Sequence, residues 1–505
     1  WRGTFEEGAG EESLEGCYIN GFCESFPIRY PETAYGYPER GFAMLNLMNA
    51  KGIHILVDGE EVRMQPSQIR DYYRALDFRT GMLTRKFIFT ASSGKELAVE
   101  FNRLISQERR HCGAIRLRIT PLNFSGQLKI VSTLNICASN QPADKDPRVG
   151  SHLPSNCFAT LATGWNGTVL YASQRTLQTR LPLAGAVTHR GDTEGTPCFS
   201  RKENCLSLTF RLQVERGVAA EFEKYIAYCG SIDPLDGDQL SMAIKEAKQA
   251  ANVGFGILLE ENTAYLKDYW RRTDIEIEGD ERLQQCLRFN SFHILQSVGR
   301  DGLRSISAKG LTGEGYEGHY FWDAEMYVIP SLLYSNPAVC RKLLEYRYHC
   351  LPEARECARD MGHVRGALFP WRTIRGTECS TFFPAGTAQY HINGDIALAV
   401  KNYVQSSGDT EFLEEFGAEI LFETARFWAD LGHFSKGKGN RFCIDCVTGP
   451  DEYTAIVNNN FYTNRMAREN LWYACRVYEQ LKRENPKLLS KLCLKIGLED
   501  DEPSS

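Results

Sequence analysis

At 505 residues the chain has room for about three domains of ordinary size, or two large ones. Hydrophobic residues make up 43% and charged residues 24%, which excludes a disordered, poorly hydrophobic chain and leaves enough apolar side chains for a sizeable core. The 58 Lys and Arg against 64 Asp and Glu give a net charge of −6, which argues against a partner recognised through its phosphate backbone, so no nucleic acid is expected.

No run of about 18 apolar residues occurs, and the opening Trp1-Arg-Gly-Thr-Phe-Glu-Glu has neither the basic nor the apolar region of an export signal. No membrane span is therefore expected. The 17 cysteines are scattered from Cys17 to Cys493 without the dense spacing of a secreted scaffold, which fits a reducing, cytoplasmic setting. Cys443 and Cys446 form a CxxC, but without a second pair at metal-binding distance they read as ordinary loop or core thiols. The first residue is Trp1 rather than Met, and the sequence reads as a fragment of a longer protein.

Residues 1–240 read as β-rich. Leu83–Phe89, Leu97–Phe101, Ala114–Ile119 and Leu206–Leu212 alternate apolar and polar side chains, the period of a half-buried strand. Asp58-Gly59, Ser93-Gly94 and Ser125-Gly126 stand between such runs, where a turn needs residues that tolerate positive φ. An antiparallel β-sandwich is the architecture this pattern predicts. Over 241–280 the apolar spacing changes to three and four residues, predicting a helical linker. Residues 281–505 read as all-α, with helices expected at about 322–334, 337–360, 385–405, 409–433, 458–484 and 486–497 and almost no strand signal.

Four loops between these helices are unusually rich in aromatic, acidic and amide residues. Gly315-Tyr-Glu-Gly-His319-Tyr-Phe-Trp322-Asp323-Ala-Glu325 sets a Trp beside a carboxylate. A sugar suits that pair, because its C–H face packs on an aromatic ring while its hydroxyls need charged acceptors. A helix-capping Asp beside a buried Trp would read the same way. Gly366-Ala-Leu-Phe-Pro370-Trp371 to Glu378 offers a second platform and carboxylate. Pro384-Ala-Gly-Thr-Ala-Gln389-Tyr390-His391-Ile-Asn393-Gly-Asp395 opens a helix on which His391 and Asp395 are one turn apart. With no third ligand nearby, a structural hydrogen bond suits this pair better than a metal. Gly449-Pro450-Asp451-Glu452-Tyr453 puts adjacent carboxylates on a sharply turned loop, one of them a candidate general acid. Asn458, Asn459 and Asn460 then supply donors and acceptors for a polyhydroxylated ligand, or else brace a turn.

Taken in order, these segments resemble glycoside hydrolase family 65, which contains the inverting phosphorylases of maltose, kojibiose, nigerose and trehalose. Leu76-Asp-Phe-Arg-Thr-Gly-Met-Leu-Thr-Arg85 extends the resemblance into the β-rich part. It implies an N-terminal β-sandwich, a helical linker and an (α/α)6 barrel. By the family's motifs, Glu452 matches the proton donor, and Trp322 with Asp323 the sugar-binding pair; His319, Trp371, Glu378, His391 and Asn459 are expected around the same pocket. The implied reaction is phosphorolysis of an α-glucosyl disaccharide to β-glucose 1-phosphate and a free sugar. Inorganic phosphate is then a co-substrate and no cofactor or metal is needed. A homodimer is the expected assembly.

The resemblance departs at the C-terminus. About seven helices are read from 281 onward where the family's barrel has twelve, and its Lys-Gln sugar contact is absent, so the barrel is expected to be C-terminally incomplete. Two further readings stay open: an inverting α-glucosidase on the same fold, which would need a second carboxylate as base, and a non-catalytic carbohydrate-binding fragment.

Overall fold

The computed structural model describes residues 1–4, 15–30, 37–140, 153–230, 238–379, 386, 388–499 and 502. Its chain divides into two compact units, one of Trp1–Glu24, Leu45–Gln141 and Leu153–Phe292, the other chiefly of Ser25–Met44 and His293–Ser505.

The first unit is an antiparallel sandwich. Its larger sheet runs Phe158–Trp165, Leu170–Thr176, Pro182–Gly191, Ala220–Gly230, Cys112–Pro121, Glu96–Ile105, Met82–Thr90 and Ile69–Asp77 from edge to edge. The smaller runs Glu194–Lys202, Cys205–Val214, Gly126–Asn135, Ile53–Val57 and Glu60–Glu61. Alternation along the strands explains the core: Phe87, Phe89, Val99, Leu117 and Ile119 of one sheet share a buried cluster with Ile55, Val57, Ile130, Leu208 and Leu212 of the other. Asp58-Gly59 and Ser93-Gly94 lie between strands and Ser125-Gly126 at the start of one, and Asp58 and Gly59 both have positive φ, the conformation of a tight hairpin turn.

Helix α1 (Gln239–Thr273) is not a free strap but a third layer. Its Ala243, Ala247, Ala250, Phe255 and Leu258 pack on Ala114, Ala184, Ala186, Tyr225 and Ala227, on the larger sheet's other face. Alanines on both sides let helix and sheet approach closely. The hairpin turn within Leu76–Arg85 docks on this helix: Asn262 Nδ2 donates to the Thr80 carbonyl (2.8 Å) and Trp270 Nε1 to that of Phe78 (2.8 Å). Gly81 has φ of 69°, and a Cβ there would meet Asn262, so the docked turn requires glycine.

The helices continue as α2 (Glu281–Ser297), α3 (Ile329–Leu333), α4 (Pro337–His349), α5 (Leu351–Asp360), α6 (His391–Ser407), α7 (Thr410–Phe412), α8 (Ala418–Leu431), α9 (Phe461–Glu484) and α10 (Pro486–Ile496). Three expectations change. The helix predicted over 337–360 is two, parted at Cys350 just ahead of Pro352, which lacks the amide donor that a continuing helix uses. The one predicted from 385 begins at His391, and part of the stretch before it, 384, 385 and 387, lies outside the described residues. The stretch 409–433 ends in a small antiparallel hairpin of His433–Ser435 and Arg441–Cys443 that the helical pattern hides.

Candidate active site

The four loops are drawn together around α6, α8 and α9. Tyr320 and Thr373 form an isolated β-bridge that joins the first loop to the second. Asn393, in the first turn of α6, accepts from the Phe369 amide (2.9 Å) and donates to the Ala367 carbonyl (2.8 Å), which ties down the second. The Thr448 amide donates to the Ala388 carbonyl (3.0 Å), joining third loop to fourth. Leu368, Ala388, Tyr390, Ile444 and Val447 from these loops then pack with Phe427 and Trp428 of α8 and Ala467 of α9.

Trp322 is half-buried, with its ring 5.1 Å from that of His391, edge to face, and 6.3 Å from that of Tyr462. Asp323 follows it at the start of the helical turn Ala324–Val328. Behind them, Glu325 and Arg347 form a buried two-point ion pair with N–O distances of 2.7 and 2.8 Å, which anchors the turn to α4. Desolvation holds the Asp323 carboxyl above its ordinary value, and the charge of Glu452 acts in the same direction.

Glu452 stands on an exposed loop closed by the Val447–Val457 bridge and by the Gly449 amide donating to the Thr454 carbonyl (2.8 Å). Its Oε1 accepts from Gln389 Nε2 at 3.0 Å. Gln389 Oε1 is 3.2 Å from His391 Nε2, and His391 Nδ1 is 2.7 Å from Asp395 Oδ2. Tyr462 Oη donates to Asp395 Oδ1 at 2.7 Å. Burial, then the Asp395 charge, push the Tyr462 phenol upward and keep it a donor. One chain of contacts thus runs from the first turn of α9 through α6 to Glu452.

The other expected residues are placed differently. His319 is fully buried; its Nδ1 accepts from Arg372 Nε (3.1 Å) and its Nε2 donates to the Phe42 carbonyl (2.6 Å). Burial, reinforced by the Arg372 charge, pushes its pKa down to about 3, so the ring is neutral and internal. Glu378 accepts from the backbone amides of Trp371 (2.6 Å), Arg372 (3.3 Å) and Cys379 (3.0 Å), and so clamps its own loop. The half-buried Trp371 ring lies over Gly386, where any side chain would strike it. Asn459 donates to Asp445 Oδ1 (3.2 Å) and accepts from the Ile444 amide (3.3 Å). Asn458 accepts from the Cys446 amide (3.0 Å), and Asn460 caps α9 through the Thr463 amide (3.1 Å). The Asn run therefore braces the loop.

The structure links Trp322, with Asp323 next to it in the chain, through His391 and Gln389 to Glu452. Sequence reasoning passed over Gln389 and Tyr462, which complete the chain of contacts. Gln389 stands two residues before His391, but only the fold shows which way its amide points. Among the described residues, no group of three or more His, Cys, Asp or Glu side chains is arranged to hold a metal ion, and no helix is long and apolar enough to cross a membrane.

Comparison with known proteins shows the family. Residues 288–501 match the glycosyl hydrolase family 65 central catalytic domain, and residues 1–269 the family's N-terminal domain. The chain is 44% identical to an alpha,alpha-trehalose phosphorylase of Thermoanaerobacter brockii, over 99% of this chain and 65% of that protein. It is 32% identical to a kojibiose phosphorylase of Halothermothrix orenii, over 96% of this chain and 63% of that protein. A solved structure of a candidate kojibiose phosphorylase from the human microbiome superposes with a TM-score of 0.87 at 25% identity, over 97% of this chain and 63% of that one. The chain thus spans about 65% of the length of the first of these relatives. With both of the family's domains matched in order along it, this chain belongs to glycosyl hydrolase family 65.

Proposed function

We propose that the chain carries the acid and sugar-binding half of an inverting disaccharide phosphorylase. The observation that supports this reading is the chain of contacts linking Trp322 to Glu452: the Trp322 ring lies 5.1 Å from that of His391, His391 Nε2 lies 3.2 Å from Gln389, and Gln389 donates to Glu452 at 3.0 Å. In the proposed reaction the glucosyl ring packs on Trp322 while Asp323 accepts from its hydroxyls. Glu452 gives a proton to the glycosidic oxygen as the bond from that oxygen to the anomeric carbon breaks. A phosphate oxygen bonds the same carbon from the opposite face, so the α configuration becomes β. The products are β-glucose 1-phosphate and a free sugar. Phosphate takes the place of the base-activated water of an inverting hydrolase, so no second catalytic carboxylate is required.

The finer parts belong to the same proposal. Helices α3 to α10 are read as part of an (α/α)6 barrel whose remainder, with the phosphate contacts, corresponds to the further length of the relatives. Phosphate is a co-substrate and no cofactor takes part; a homodimer is the proposed assembly. A cytoplasmic setting is part of the same proposal, supported by cysteines scattered without the dense spacing of a secreted scaffold. Trehalose is the substrate to test first, since the relative named for it is 44% identical and the one named for kojibiose 32%.

The test is sugar-phosphate release from trehalose, kojibiose, nigerose and maltose, with and without inorganic phosphate. Release should require phosphate and fall at least about 100-fold in Glu452→Gln, the scale of a lost general acid. Glucose release in phosphate-free buffer would instead indicate a hydrolase, and binding without turnover a carbohydrate-binding fragment.

A further inference from the structure

We propose that Gln389 is a positioning residue for Glu452: its buried amide, held by His391 and Asp395, sets the direction of the acid and matches the acid's proton state to the protons of the His391 ring. This rests on the reading of Glu452 as general acid.

Glu452 is an exposed residue on a turn whose neighbours Asp451 and Tyr453 are exposed as well, so the loop itself fixes its carboxyl weakly. Among the described residues, Gln389 is the side chain that hydrogen-bonds that carboxyl, at 3.0 Å. Gln389 is only 2% exposed, and both ends of its amide are engaged, one toward Glu452 and one toward His391. His391 and Asp395 are 0% exposed, and Tyr462 closes the far end at 2.7 Å. A rigid buried chain therefore ends on an exposed, flexible type of side chain, which is the arrangement that positions a catalytic group.

An amide has one donor end and one acceptor end. In the observed orientation the NH2 group donates to Glu452, which suits an ionised carboxylate. The carbonyl then faces His391 Nε2, which must carry a proton to complete the 3.2 Å contact while Nδ1 keeps its proton against Asp395 at 2.7 Å, so the ring is doubly protonated. When Glu452 is protonated, its O–H seeks an acceptor. Rotation of the Gln389 amide by half a turn supplies the carbonyl to Glu452 and presents the NH2 group to the lone pair left on Nε2, whose proton is the one Glu452 has gained, while Nδ1 keeps its proton against Asp395. The loaded and unloaded acid thus correspond to two amide orientations and two proton patterns on one ring.

Two measurements test this on the full chain. In the first, Gln389→Met, which keeps the side-chain length without the hydrogen bonds, is compared with wild type and Glu452→Gln on a disaccharide and on α-glucosyl fluoride, each with phosphate. Fluoride leaves without a proton, so a defect in the acid disappears on that substrate. Gln389→Met should lose roughly 10- to 100-fold in kcat on the disaccharide with KM little changed, and recover on the fluoride. If Glu452→Gln shows that pattern and Gln389→Met does not, the inference fails while the reading of Glu452 stands. If Glu452→Gln keeps full activity on the disaccharide, that reading fails first.

The second measurement needs no turnover and keeps Gln389 in place. The ring 15N resonances of His391 are recorded in wild type, Glu452→Leu and Asp451→Leu. Removing Glu452 should move them and removing its neighbour should not. Unmoved resonances in Glu452→Leu, or equal movement in both variants, overturn the proposal.

Discussion

His319 illustrates how a polar residue in a promising loop is put to structural use. The ring accepts from Arg372 and donates to the Phe42 carbonyl, two bonds that need a neutral imidazole with its proton on Nε2. Burial, then the Arg372 charge, lower its pKa from 6.5 to about 3. The unfolded ring takes up a proton below about pH 6.5 and the folded one refuses it until about pH 3, so stability falls across that interval as pH falls. Each pH unit there costs on the order of 1.4 kcal/mol. In urea denaturation, wild type should lose about 2 kcal/mol more than His319→Gln between pH 7 and pH 5; equal losses would contradict the assignment. The loop residues were legible in type but not in direction. Trp322 packs on His391, which is linked through Gln389 to Glu452, whereas Glu378 and Asn459 turn to nearby backbone and side-chain groups, because a loop side chain's heading is set by neighbours remote in sequence.

At the level of elements, α6 and α9 carry the buried part of the site, and their crossing fixes it. Gly394 lies against α9 so closely that a Cβ would stand 2.5 Å from Met466 Cβ, below any normal contact. Gly394→Ala should therefore separate the helices. It should cost about 1–3 kcal/mol in denaturant unfolding and also lower kcat on the disaccharide by displacing His391 from Gln389. Unchanged stability would show that the crossing has slack the structure does not suggest. Helical and strand periods made most elements readable. Boundaries followed chemistry that the period does not contain: Pro352 follows the Cys350 break between α4 and α5, and the Asn460 cap starts α9 at Phe461, three residues after the expected 458. The His433–Cys443 hairpin was missed because strands of three residues are too short to alternate visibly.

Across the whole molecule, the order of a β-sandwich followed by helices was legible, and the sandwich has the alternating core its strands predict. Less legible was which segment joins which unit. Residues 25–44 precede most of the sandwich in sequence yet belong with the helical unit, where the Phe42 carbonyl meets His319. Helix α1, expected as a linker, covers a sheet face. Contacts between positions far apart in sequence produce both results, and no local pattern records them. The family motifs carried the functional reading further than composition did, because they single out Glu452 and the Trp322–Asp323 pair among many acidic and aromatic residues of the same types. The central claim is that Glu452 supplies the proton while phosphate attacks the opposite face. The most direct measurement follows the reaction of trehalose and phosphate by NMR with wild type and Glu452→Gln, reading the anomeric configuration of the first sugar phosphate formed. The account predicts β-glucose 1-phosphate from wild type and almost none from the variant; the α anomer, or undiminished product from Glu452→Gln, would contradict it.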